Sequence, residues 1–94
     1  MVFRWLQKVN ETKKVQVALT EEFSKRGVNF MQLEPELHRA IIHEAMLFKS
    51  VERTVEMFFE IASMGYEKGL DHYGVSHFVR EAYRERTRIM KAGT

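Results

Sequence analysis

The chain has 94 residues, 45% of them hydrophobic and 30% charged, with a net charge of +2, one proline and no cysteine. This composition suits one globular domain and excludes a disordered tail. It also excludes a disulfide framework, a thiolate metal site and a cysteine nucleophile.

The small net charge hides an uneven pattern. Residues 1–27 carry +3, with Arg4, Lys8, Lys13, Lys14, Lys25 and Arg26 against Glu11, Glu21 and Glu22. Residues 28–79 carry −4, and residues 80–94 carry +3 through Arg80, Arg84, Arg86, Arg88 and Lys91 against Glu81 and Glu85. Basic ends around an acidic middle suit an anionic partner. They equally suit neutralisation of the middle, within one chain or across a dimer.

In chain order, residues 1–9 alternate apolar and basic residues without an apolar core, which predicts no signal peptide. No apolar stretch approaches the roughly 20 residues of a membrane span, so a cytoplasmic location is expected. The first predicted helix covers 11–26, from an Asn10 cap to Gly27, with Val15, Ala18, Leu19 and Phe23 on one face. Lys14–Leu19 also alternates as a strand would, with a short helix then capped by Thr20. Residues 28–33 read as a connector or a short strand. Pro35 fits the first turn of a helix, where its missing N–H is harmless.

From Leu37 the pattern is strongly helical. Leu37, Ile41, Phe48, Val51, Val55, Phe58 and Ala62 form a heptad seam whose one polar interior position is Glu44. Residues 35–64 are therefore one long helix, or two that break near Ser50, a credible cap. So wide an apolar face predicts a second subunit. The expected interface is Leu37, Ile41, Phe48, Val51, Val55 and Phe58, in a twofold dimer. Gly65, Gly69 and Gly74 predict loops or an interrupted helix. A last helix is expected over 75–90, with Phe78, Val79, Ala82, Tyr83, Ile89 and Met90 on its apolar stripe. Arg80, Arg84, Arg88 and Lys91 form its basic edge, an expected dock for an acidic protein. Residues 91–94 are expected to fray.

Catalytic signatures are lacking. There is no Walker loop, no Rossmann glycine pattern, no HExxH and no serine elbow, so no enzyme activity and no cofactor are expected. His38 and His43 are five apart, as are His72 and His77. Five residues turn a helix by about 140°, so neither pair converges on a metal. Phe48, Met57, Phe58, Phe59 and Met64 read as packing residues, with no cofactor needed.

One stretch carries a family resemblance. Lys25-Arg26-Gly27-Val28-Asn29-Phe30, then Leu33-Glu34-Pro35-Glu36-Leu37-His38-Arg39, Ala45, and Ser50 followed by Val51, Val55 and Phe58 resemble the ribbon-helix-helix DNA-binding proteins. The resemblance spans 25–60, a little over a third of the chain. It implies a strand at 28–33 that pairs with a second chain and enters the major groove. Carried over, Asn29 and Gln32 would read bases. Lys25 and Arg26 would touch phosphates, and the N–H groups after Ser50 would clamp another. Val28 and Phe30 are out of phase with Leu33, so that strand would need a bulge.

The sequence thus predicts a single, small, predominantly α-helical domain over 1–94, dimeric, with one short strand or none. Two functions follow from it: a non-enzymatic dimeric DNA-binding regulator of transcription, or an all-helical assembly or adaptor module that binds another protein.

Overall fold

The backbone reverses direction after Phe48. A computed structural model describes the backbone of residues 2–92 and the side chains of residues 10–92. In it Pro35–Phe48 (α2) and Val51–Glu67 (α3) are separate helices. Lys49 takes the left-handed conformation, with φ of 54°, and the Ser50 N–H closes back on the Ala45 carbonyl at 3.2 Å. The Ser50 hydroxyl then accepts from the Arg53 N–H at 3.2 Å and starts α3. A helix-ending turn followed at once by a serine cap needs only two residues. No glycine is required, although a lysine there is strained.

The first helix, Val2–Lys25 (α1), begins earlier than expected. Asn10 lies in its interior, because no proline or glycine interrupts residues 2–9. The Thr20 hydroxyl bonds the Gln16 carbonyl one turn back at 2.7 Å, so it caps no second helix. Gly27, with φ of 80°, ends α1 as expected. The Val28 N–H reaches the Phe23 carbonyl and the Gly27 N–H reaches that of Ser24, both at 3.0 Å.

Residues 28–33 form no strand. Phe30–Gln32 is a single 3-10 turn capped by Asn29. The glycine-rich stretch also differs from expectation. Gly65 lies inside α3 and Gly74 inside the last helix, His72–Ala92 (α4). Only the turn between them is irregular, and the Asp71 carboxylate caps α4 by accepting from the Gly74 N–H at 2.7 Å. Gly65 is needed for proximity: a Cβ there would stand 3.2 Å from both Val75 Cγ2 and Phe78 Cδ2 across the α3–α4 contact. Helix α4 starts three residues before the predicted 75 and takes in Lys91 and Ala92 of the expected tail. Gly93 and Thr94 lie outside the described residues, and Arg4 and Lys8 outside the described side chains.

The architecture is all-helical among the described residues. Helices α1 and α4 each pack against both α2 and α3. Their shared core joins Leu19 and Phe23 of α1, Phe30 of the 3-10 turn, Leu37, Ile41 and Ala45 of α2, Val55, Phe58 and Ala62 of α3, and Val75, Val79 and Tyr83 of α4. Phe23 organises one end. It stacks on Phe30 at 5.2 Å between ring centres and meets Phe58 edge-on at 4.9 Å.

This core corrects the interface expectation. Leu37, Ile41, Val55 and Phe58 are buried by the chain's own helices. The heptad spacing marks an intramolecular core, because the turn at Lys49 folds its two halves onto a common interior. Phe48 and Val51 alone of the seam stay partly open. No described helix is long and apolar enough to cross a membrane.

Candidate functional site

Helix α4 is fastened to α2 at two points. At the first, Arg86 donates from Nε to Glu44 Oε1 at 2.6 Å. Glu44 is fully buried, and the Arg86 guanidinium lies 4.8 Å from the centre of the Phe48 ring. The polar interruption in the apolar seam is thus an internal ion pair. Beside it the Tyr83 hydroxyl donates to the Thr54 carbonyl at 3.0 Å. Burial, reinforced by the Glu44 carboxylate, pushes the Tyr83 phenol well above its ordinary range and keeps it protonated.

The second fastening is Arg80. Its guanidinium donates to Glu36, to Glu34 at 3.5 Å and to Nδ1 of His77 at 2.7 Å. Its side chain is only 15% exposed, so this arginine ties the first turn of α2 to α4. A guanidinium always donates, which leaves the His77 proton on Nε2 in this network. The rest of the predicted basic edge is also met by acids. Arg88 pairs with Glu85, and Arg84 lies 3.5 Å from Glu81. Arg84 and Arg88 remain exposed, so these last pairs are weak.

Between the two fastenings the helices leave an open cleft of about 490 Å³. Helix α2 lines it with Glu36, Arg39, Ala40 and His43, and α4 with Tyr83, Arg84 and Thr87. Positions 36, 39, 40 and 43 are one face of a helix, and 83, 84 and 87 are the facing one. The Glu36 carboxylate is taken by Arg80. Arg39 is exposed and has no ion pair among the described residues. Thr87 Oγ1 stands 3.5 Å from His43 Nδ1. Two guanidiniums, an imidazole and a hydroxyl therefore share a cleft whose own carboxylate is occupied. That chemistry receives anions.

The sequence-predicted nucleic-acid residues divide into two places. Lys25 bonds Glu22 at 3.0 Å, and Arg26 lies over the Phe59 ring at 5.0 Å. Oδ1 of the Asn29 side chain accepts from the Met31 N–H at 3.2 Å, so its amide is used in capping the 3-10 turn. Gln32 is exposed at the end of that turn. Ser50 is not with them. It borders a second open cleft of about 400 Å³ together with Lys14, Lys49 and Met46.

The histidines are equally dispersed. His38 stacks on Phe30 at 4.2 Å, and burial lowers its pKa below the ordinary histidine value. His72 lies against Tyr73, His77 against Arg80 and His43 in the α2–α4 cleft. No three His, Cys, Asp or Glu among the described residues converge as a metal site.

Arg39, His43 and Thr87 were missed as site residues. The signal for them was the polar row at 36, 39 and 43 beside the apolar seam. Nothing local shows which helix will cover such a face.

No family model, no curated protein and no solved structure matches the chain.

Proposed function

We propose that the chain is a non-enzymatic helical interaction module that binds an acidic segment of another protein in the α2–α4 cleft. The observation that carries this reading is the pairing of Arg39 with Arg84 across a cleft whose single carboxylate, Glu36, is engaged by Arg80. An entering carboxylate meets uncommitted donors and displaces no internal ion pair, save the weak Arg84–Glu81 contact. Titration of hexaglutamate into the isotopically labelled chain tests it. Amide shifts should concentrate on Ala40, His43 and Thr87, and Arg39→Glu should abolish them. Shifts spread evenly over all basic surfaces would refute a dedicated site.

Duplex DNA is the second reading, favoured by the start of α3. There Lys14 and Lys49 flank the capped N-terminus at Ser50 in one cleft, outnumbering its one acid, Glu11, an arrangement suited to a backbone phosphate. The reading no longer rests on a ribbon, since Asn29 caps a 3-10 turn. A duplex that shows no salt-sensitive shift at low ionic strength rejects it.

Self-association belongs to the same proposal. Phe48 borders Ile89 and Met90 in an open pocket, and those two are 60% and 42% exposed. This is the end of the molecule at which a second copy would dock. Light scattering should give a dimer mass that falls on Ile89→Asp, and a monomer mass for the unaltered chain would exclude it.

A further inference from the structure

We propose that the anion preferred by the α2–α4 cleft is a phosphoryl dianion, either a phosphomonoester or free phosphate. The inference rests on the reading of that cleft as the partner site and narrows its ligand.

The first ground is charge. A carboxylate brings one negative charge in a flat, two-oxygen group. Arg39 has no ion pair among the described residues, Arg84 has only a loose one, 3.5 Å from Glu81, and the cleft's own carboxylate, Glu36, is bonded by Arg80. A monoanion would neutralise half of the charge on the two guanidiniums. A phosphoryl group carries about −1.5 to −2 at neutral pH and neutralises nearly all of it.

The second ground is geometry. The donors come from two facing helices and differ in kind. Arg39 and His43 stand on α2, Arg84 and Thr87 on α4. A tetrahedral group presents three acceptor oxygens in different directions, and each can face a separate wall. Two guanidiniums offer five N–H donors each, more than the lone pairs of one carboxylate can use. Thr87 adds a neutral hydroxyl, which approaches His43 only to 3.5 Å and is therefore weakly committed.

The third ground is space. The cleft, at about 490 Å³, exceeds a bare phosphate, and Ala40 and the Tyr83 ring supply apolar wall. A phosphate on an organic group therefore fits the cleft better than a free ion.

Four probes on the full chain test the inference by amide-shift titration: phenyl phosphate, inorganic phosphate, benzoate and hexaglutamate. Phenyl phosphate should bind at least tenfold more tightly than benzoate, which has the same ring and a single charge. Arg39→Gln and Arg84→Gln should each weaken phenyl phosphate at least tenfold. Arg53→Gln, outside the cleft, should leave it unchanged. Unaltered amide spectra away from the cleft confirm that each variant is folded. Tighter binding of phenyl phosphate than of inorganic phosphate identifies a monoester, and equal binding identifies the free ion. Equal affinity for phenyl phosphate and benzoate overturns the phosphoryl preference. If hexaglutamate binds the cleft and both phosphates fail, the phosphoryl inference falls and the acidic-partner reading stands. If no probe binds, both fall.

Discussion

Arg86 and Glu44 form a one-sided ion pair: the carboxylate side chain is 1% exposed and the guanidinium 42%. Oε1 of Glu44 accepts from Arg86, whereas Oε2 has no hydrogen-bond partner among the described residues. The carboxylate thus depends on one donor that reaches in from the surface of α4. Such a pair contributes little net stability when intact, and losing one partner leaves a buried charge.

Arg86→Met should therefore destabilise the fold by about 3 kcal/mol, read from urea unfolding. The double change Glu44→Met with Arg86→Met should restore most of that loss, because no charge is then left buried. If the double variant is as unstable as the sum of the single variants, the pair is not coupled.

His38 makes stability depend on pH. Its stack on Phe30 and a buried Nε2 without a hydrogen-bond partner favour the neutral ring, and burial lowers the pKa from 6.5. In the window below 6.5 the unfolded chain binds the extra proton and the folded chain resists it. The His38 contribution is therefore fully present above pH 6.5 and is lost as pH falls from there toward the lowered folded value. His38→Phe should remove this part of the decline. The difference between the two stability curves should be flat above pH 6.5 and slope below it. A flat difference down to pH 5 would contradict the burial argument.

Lys49 holds a left-handed conformation that glycine adopts without steric penalty. Lys49→Gly should raise stability by about 1 kcal/mol in thermal or urea unfolding. Destabilisation instead would mean that the lysine side chain, and not the backbone, holds the α2–α3 turn.

Tyr83 donates to the carbonyl of Thr54 from inside the core. Tyr83→Phe should cost about 1 kcal/mol, the usual net worth of one such bond, with the helical circular dichroism unchanged. A loss several times larger would show that the hydroxyl also braces the α2–α4 cleft.

Much of the chain's local structure was readable residue by residue. Pro35 at the first turn of α2, Ser50 capping α3 and Gly27 closing α1 all act where their chemistry points. Each of these signals is complete within about five residues, so sequence spacing is enough to state it. The start of α1 was misread because Asn10 can cap a helix but need not, when the residues before it are equally helical.

The candidate site was less legible. Arg80, Arg84 and Arg88 stand in a clear basic row, yet Arg80 and Arg88 are matched by the chain's own acids. Arg39 is 45 positions before Arg84, and no other lysine or arginine lies between Arg26 and Lys49. Only the packing of α2 on α4 makes the two one site.

What the sequence determined by itself is the helical character, the caps and the apolar faces. All follow from side chains within one or two turns of each other. Tertiary structure alone decided what those faces cover. The Leu37–Phe58 seam carries the periodicity of an interface between chains, and its residues would be apolar in either case. The turn at Lys49 folds the seam onto Phe23, Phe30 and Tyr83 of the same chain, and that choice depends on contacts far apart in sequence. It also sets Arg39 of α2 across a cleft from Arg84 on the predicted basic edge of α4.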